Sequence, residues 1–156
     1  MKRRSRQSGN EWFHRAVRYL ARFDRTAVQV ERFLTTKGAS RAQVKQVISR
    51  LSALKYLDDR AYATRWVETT LARRPMGRDR LKSELMAKGL GETVADDAIV
   101  EGLDGMDEET LARRALRLKS GHGGRRTGRR TVSLLRQRGF GEEIIERIMR
   151  DCLGEE

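Results

Sequence analysis

The 156-residue sequence predicts an all-α protein: three tandem three-helix, helix-turn-helix-like repeats forming an elongated, curved molecule. Three observations carry that expectation. First, Leu34-Thr35-Thr36-Lys37-Gly38-Ala39, Leu85-Met86-Ala87-Lys88-Gly89-Leu90 and Leu135-Arg136-Gln137-Arg138-Gly139-Phe140 share one pattern, Leu-x-x-(Lys/Arg)-Gly-apolar. Their glycines stand 51 and 50 residues apart. A cation in the last helical turn complements the helix dipole, and the glycine after it takes the left-handed conformation without a Cβ penalty. Second, Thr26, Gly77 and Thr127 stand twelve residues before these glycines, and Ser40, Gly91 and Gly141 stand two after them, all acceptable N-caps. Third, one proline in a chain with 36% charged residues, rich in Arg, Leu, Glu and Ala, favours helix throughout.

In chain order, residues 1–10 are basic and aperiodic and are expected to form a disordered arm. Trp12, Phe13, Ala16, Val17, Tyr19, Leu20 and Phe23 then suit one face of a helix over about 11–22, with Arg15, Arg18 and Arg22 on the other. Thr26-Ala27-Val28-Gln29 and Ser40-Arg41-Ala42-Gln43 are capping-box patterns, so a helix, a very tight turn and a second helix follow. The period repeats that arrangement. Val30, Leu81 and Thr131 stand one turn before the conserved-position leucines Leu34, Leu85 and Leu135. Val44/Val47/Ile48 corresponds to Ala95/Ala98/Ile99 and Ile145/Ile148/Met149, an i, i+3, i+4 core stripe. Leading helices are expected near 59–73, capped by Asp58 or Asp59, and near 108–119 after Asp107, with Leu111, Ala112, Ala115, Leu116 and Leu118 inward. The units are therefore drawn at 11–56, 57–105 and 106–156, with Gly121-His122-Gly123-Gly124 as a flexible loop in the third. The glycine turns Gly38, Gly89 and Gly139 are expected to serve as structural corners that bind nothing by themselves.

The net charge is +12, distributed as +10 over residues 1–50, −1 over 51–105 and +3 over 106–156. So strong a field predicts an anionic partner, nucleic acid or an acidic protein surface. No apolar run reaches membrane-span length, and the single cysteine, Cys152, fits a reducing, cytoplasmic setting without disulfides. A monomer is expected, because no long exposed apolar stripe is left over.

Catalytic readings fail one by one. His14 and His122 are far apart and lack metal-ligand spacing to Cys152 or to a carboxylate pair. Cys152 suits a small packing residue better than a nucleophile. The Gly121–Gly128 stretch has no Gly-Lys-Ser/Thr ending and no preceding strand, so it is no phosphate loop. Asp58/Asp59 and Asp96/Asp97 are better explained as caps or first-turn acids. No catalytic residue, metal or cofactor is expected.

The cations remain. From Thr110 to Gly141 there are ten Lys/Arg and no acid. A second cluster, Arg73-Arg74-Pro75-Met76-Gly77-Arg78, sits at a helix junction. A charge run is ordinarily a solvated face, but this imbalance points to contact with phosphates or an acidic surface. The residues chosen are Arg73, Arg74, Arg78, Arg113, Arg117, Arg125, Arg126, Arg129 and Arg130. Three groove-reading helices are excluded by charge. Arg41, Lys45, Gln46 and Arg50 of the first unit could approach DNA, but Glu92, Asp96, Asp97 and Glu101 of the second would be repelled. Base stacking finds no aromatic between Thr110 and Arg138, and the aromatics at 12–66 are expected in the core.

Tyr56-Leu57-Asp58-Asp59-Arg60-Ala61-Tyr62-Ala63 resembles a signature of the RecX regulatory proteins. Residues 76–90 resemble that family's G-x-x-R-(I/L)-x-x-E-L-x-x-K-G-(I/L) core, with Arg80, Leu81, Glu84, Leu85, Lys88 and Gly89 in place. The first and third units match more loosely, through the glycine turns and the Arg-Gly-Phe at 138–140. The basic arm and the Gly/Arg-rich insertion near 121–130 depart from the pattern. The resemblance implies a cytoplasmic, non-enzymatic modulator of the RecA recombinase. Such a protein binds the RecA–single-stranded DNA filament, inhibits strand exchange, ATP hydrolysis and coprotease action, and in some members binds DNA directly. A RecA-independent DNA- or RNA-binding protein is the alternative.

Overall fold

The computed structural model describes the backbone of residues 2–120 and 128–154, and the side chains of 9–119 and 128–152. Among these residues there are nine α-helices and no strand: α1 (Lys2–Leu20), α2 (Ala27–Thr36), α3 (Arg41–Ala53), α4 (Asp59–Arg73), α5 (Arg78–Ala87), α6 (Glu92–Leu103), α7 (Glu108–Ser120), α8 (Gly128–Gln137) and α9 (Glu142–Gly154). The helices fall into threes. The substantial helix–helix packing is α1, α2 and α3 on one another, α6 against α4 and α5, and α7, α8 and α9 on one another.

Local chemistry explains most boundaries. Thr26 and Ser40 each accept from the N3 backbone while Gln29 and Gln43 reach back to the cap N–H, so both capping boxes form. Asp58 caps α4 through the Ala61 N–H at 3.1 Å, and Asp107 caps α7 through the Thr110 N–H at 2.7 Å. Thr127, the expected cap of α8, lies outside the described residues. Gly38, Gly89 and Gly139 have φ of +101°, +89° and +75°, the left-handed conformation their position requires.

Four expectations need correction. Helix α1 begins at Lys2, so residues 2–10 extend it instead of forming a disordered arm. Lys, Arg and Gln are good helix formers, and the single Gly9 does not stop the run. Its inner end also meets α3, where the Arg50 guanidinium donates to Asn10 at 3.2 Å. Helix α1 ends at Leu20, so Phe23 leaves the apolar face and is 65% exposed. Cys152 is exposed on α9 and does not pack, and Leu118 on α7 is exposed too.

The buried apolar side chains form two clusters. One gathers Phe13, Ala16, Val30, Leu34, Ala39, Val44, Val47 and Leu51 of the first unit, joined by Leu57 at the start of the second. The other runs through the second and third units without a break, from Tyr62 and Val67 to Ile145 and Ile148.

The glycine turns do more than the sequence reading allowed: two of them are the joints between units. The second turn docks on the N-terminus of α2. Thr26 Oγ1 donates to the Lys88 carbonyl at 2.7 Å, and a Cβ on Gly89 would stand 2.5 Å from Val28 Cβ. The third turn docks on the N-terminus of α5 in the equivalent way. There the Gly77 N–H donates to the Arg138 carbonyl at 2.8 Å, and a Cβ on Gly139 would stand 2.4 Å from Arg80 Cβ. Thr26 and Gly77 are matching positions of the repeat, as are Lys88 and Arg138. A period of about 50 residues thus places each turn on the unit before it.

Candidate functional site

The junction of the second and third units gathers more guanidiniums than carboxylates. Arg74 ends α4, Arg80 lies in the first turn of α5, and Arg138 precedes the third glycine turn. Arg80 Nε reaches Glu84 at 3.0 Å and Arg74 Nη2 reaches the same carboxylate at 3.6 Å. Arg138 Nη1 donates to the Pro75 carbonyl at 2.8 Å, and Arg80 Nη1 donates to the Gln137 carbonyl. Two guanidiniums therefore share one carboxylate, while the third is held by a backbone carbonyl. Burial, then the neighbouring charges of Arg74 and Arg80, hold Arg138 below the usual arginine value. Arg73 and Arg78 are exposed beside this cluster. Arg78 uses its backbone N–H on Glu108 Oε1, at 3.1 Å, and its side chain has no carboxylate partner among the described residues.

The chosen arginines of the third unit separate into two groups. Arg113 is tied down: it pairs with Glu109 at 2.8 Å and with Asp151, and both contacts hold its pKa above the ordinary value. Arg117, Arg129 and Arg130 are exposed and carry no ion pair among the described residues. Arg129 and Arg130 open α8, roughly 15 Å of helix from the joint at its other end. Arg125 and Arg126 lie outside the described residues, as does the expected loop Gly121–Gly124.

The acid-free run from Thr110 to Gly141 is partly compensated in three dimensions. Glu142, just beyond the run, takes Arg136 at 2.6 Å, and this contact raises the pKa of Arg136 while lowering that of Glu142. Glu109 also accepts from Arg147 at 3.2 Å. The neutralising acids flank the run: Glu109 stands at the start of α7, and Glu142 and Asp151 lie on α9. On the second unit, Lys82 links Glu92 at 2.7 Å and Asp96 at 3.0 Å. The acids of α6 thereby serve as internal straps.

Sequence reasoning missed Arg80 and Arg138 as members of the junction cluster. Their signal was present in the repeat, since Arg138 occupies the cation position of the turn. Only the docking of that turn on α5 reveals their proximity. Sequence reasoning also placed the aromatics of 12–66 in the core. Phe13 and Tyr62 are buried, whereas Trp12, Tyr19, Phe33 and Trp66 are half-buried and Phe23 and Tyr56 are exposed.

Known proteins are similar to this chain in sequence and in fold. The family described as RecX, second three-helix domain, matches residues 58–99, from the cap of α4 into α6. The regulatory protein RecX of Chlorobaculum tepidum is 30% identical over 149 residues, covering 90% of this chain and 88% of its own length. The regulatory protein RecX of Streptomyces coelicolor is 31% identical, covering 90% of this chain and 76% of its own. The crystal structure of RecX from Lactobacillus salivarius superposes with a TM-score of 0.72 at 23% identity, over 93% of this chain and 96% of that one, which speaks for the fold. With at least 30% identity to such relatives over nine-tenths of its length, this chain belongs to the RecX family of regulatory proteins.

Proposed function

We propose that this protein is a non-enzymatic negative modulator of the RecA recombinase. It binds the RecA–single-stranded DNA filament and inhibits strand exchange, ATP hydrolysis and coprotease action, so restraining recombinational repair and the SOS response. The observation that carries this reading is the set of unpaired cations on a repeat scaffold. Of the chosen arginines with described side chains, Arg73, Arg78, Arg117, Arg129 and Arg130 have no carboxylate partner among the described residues, while Arg74 and Arg113 do. Free guanidiniums spaced along two units can meet acidic protein patches and phosphates at several points at once, which multiplies weak contacts. Because the second and third units share one core, those points keep their spacing.

The test is RecA ATPase on single-stranded DNA with and without this protein. Inhibition is expected, and its loss is expected when Arg73, Arg78, Arg129 and Arg130 are reversed to Glu with helicity intact. Full inhibition by that variant would overturn the assignment of these arginines. If bare single-stranded DNA were bound as tightly as the RecA-coated strand, with a steep salt slope and no effect on RecA, the protein would be a RecA-independent nucleic-acid binder instead.

A further inference from the structure

The first unit carries most of the net charge, and an aromatic ladder runs from its core to its surface: Tyr19 and Phe33 pack on the core, whereas Phe23 stands outside it. Beyond the end of α1 the chain turns through residues 21–26 into α2. Along this edge the Tyr19 and Phe33 rings stack at 4.1 Å with 2° between their planes. Lys37 Nζ lies 6.0 Å from the Phe33 ring. The Arg25 guanidinium lies 5.2 Å from the Tyr19 ring and 5.3 Å from the Phe23 ring. The series ends on Phe23, 65% exposed.

Among the described residues Arg25 forms no ion pair and its buried Nε has no hydrogen-bond partner, while two rings flank its guanidinium. Beside the ladder, Arg18, Arg22 and Arg32 are exposed without a carboxylate partner among the described residues. The unit has few acids to offer them. Glu11 is taken by Arg15 at 2.9 Å and Asp24 by Arg65, leaving Glu31.

An isolated exposed phenylalanine needs no explanation. An exposed ring that ends a cation–ring ladder, amid unpaired arginines, is a different object. It combines a π-face for a base with positive charge for the backbone on either side, the two parts of a sequence-tolerant single-strand site. We propose that Phe23 is a stacking seat for an unpaired nucleic-acid base, with Arg22 and Arg32 meeting the flanking phosphates. The base adds one more layer to the series Phe33, Tyr19, Arg25, Phe23, and Arg25 beneath the ring contributes cation–π attraction. A base inside a duplex is already stacked on both faces, so the seat selects single strands. This site is separate from the junction arginines and does not depend on RecA.

Fluorescence anisotropy with labelled oligothymidylate and oligouridylate, without RecA, tests it; the ratio of the two affinities separates DNA from RNA. The expected result is tighter binding to a single strand than to a duplex hairpin of equal charge. Phe23→Ala and Phe23→Leu should each weaken binding about tenfold, and Phe23→Trp should retain it. Arg22→Ala and Arg32→Ala should each lower the slope of log K against log salt by about 0.7. Because Phe23 is exposed, its variants should keep the wild-type helicity and melting temperature. Wild-type affinity in both Phe23→Ala and Phe23→Leu, or equal affinity for the hairpin, overturns the proposal. So does a Phe23→Ala protein that binds the bare strand normally but fails to inhibit RecA, which would make the ring a protein contact.

Discussion

The same six-residue turn occurs in two environments. Around Gly89 and Gly139 it is clamped on the preceding unit, whereas around Gly38 it faces open space, with nothing within 4 Å of a would-be Cβ. Backbone conformation is nearly the same at all three, and the cation, the glycine and the following apolar residue are retained. The left-handed corner therefore ends a helix wherever it occurs, and it becomes a joint only where another unit's helix N-terminus meets it. The two joints also differ. The second and third units share a continuous apolar core, while the first has its own and is tied to the second by polar contacts. Among these are Thr26 to Lys88, the Ala27 N–H to Asp59 at 3.0 Å, and Arg65 to Asp24.

Alanine at the three glycines probes this difference most strongly. Gly139→Ala and Gly89→Ala combine left-handed strain with a Cβ driven into Arg80 or Val28, together roughly 3 kcal/mol. For a chain of this size that corresponds to a fall in Tm of about 6–12 °C, read by thermal denaturation. Gly38→Ala meets only the strain, about 1 kcal/mol. Equal losses at Gly38 and Gly89 would remove the distinction between free corner and joint.

A matched pair of caps makes a finer comparison. Thr26 and Ser40 form the same capping box, but Thr26 is fully buried and also satisfies the Lys88 carbonyl. Thr26→Ala should cost about 2 kcal/mol, because it removes a cap and strands a carbonyl in the joint. Ser40→Ala, on an exposed cap, should cost about 1 kcal/mol. Denaturant midpoints of the two variants give the ratio.

Acid should produce the smallest effect, concentrated in the third unit. The backbone and side-chain hydrogen bonds from Thr110 hold Asp107 below its ordinary pKa. Arg113 and Arg147 do the same for Glu109, and Arg136 for Glu142. A carboxylate lowered in the folded state contributes stability above its unfolded pKa and loses it as pH falls through the folded value. Amide protection factors in α7–α9, corrected for the pH dependence of intrinsic exchange, should therefore fall from about pH 4 downward. Asp107 and Glu142 are exposed and Glu109 is half-buried, so solvent screens these contacts and the loss of protection should shrink at high salt. A loss of protection confined to α1–α3 would contradict this account.

Much of the fold was legible because its signals are local. Capping boxes, Lys/Arg-Gly endings and i, i+3, i+4 stripes act within one helix, and they locate α2 to α9 to within a few residues. The errors came where a local signal had a distant competitor. The basic arm showed no buried face and so suggested disorder, yet helix propensity carries α1 back to Lys2. Phe23 fitted an apolar period, but α1 stops at Leu20 and the ring turns outward. The arginines were visible as a class, and which of them are free was not. Arg113 is neutralised by Asp151, 38 residues away, and Arg138 meets Pro75 across 63.

The sequence by itself determined the helices, their caps, the three-unit period and the excess of positive charge, because each rests on neighbours within about a turn or on composition alone. The tertiary structure alone decided which turns became joints, which cations were paired and which aromatic ring was left facing solvent. Those outcomes depend on contacts between residues about 30 to 60 positions apart. For such contacts, packing geometry and the cost of leaving a buried polar group unpaired outweigh any local preference.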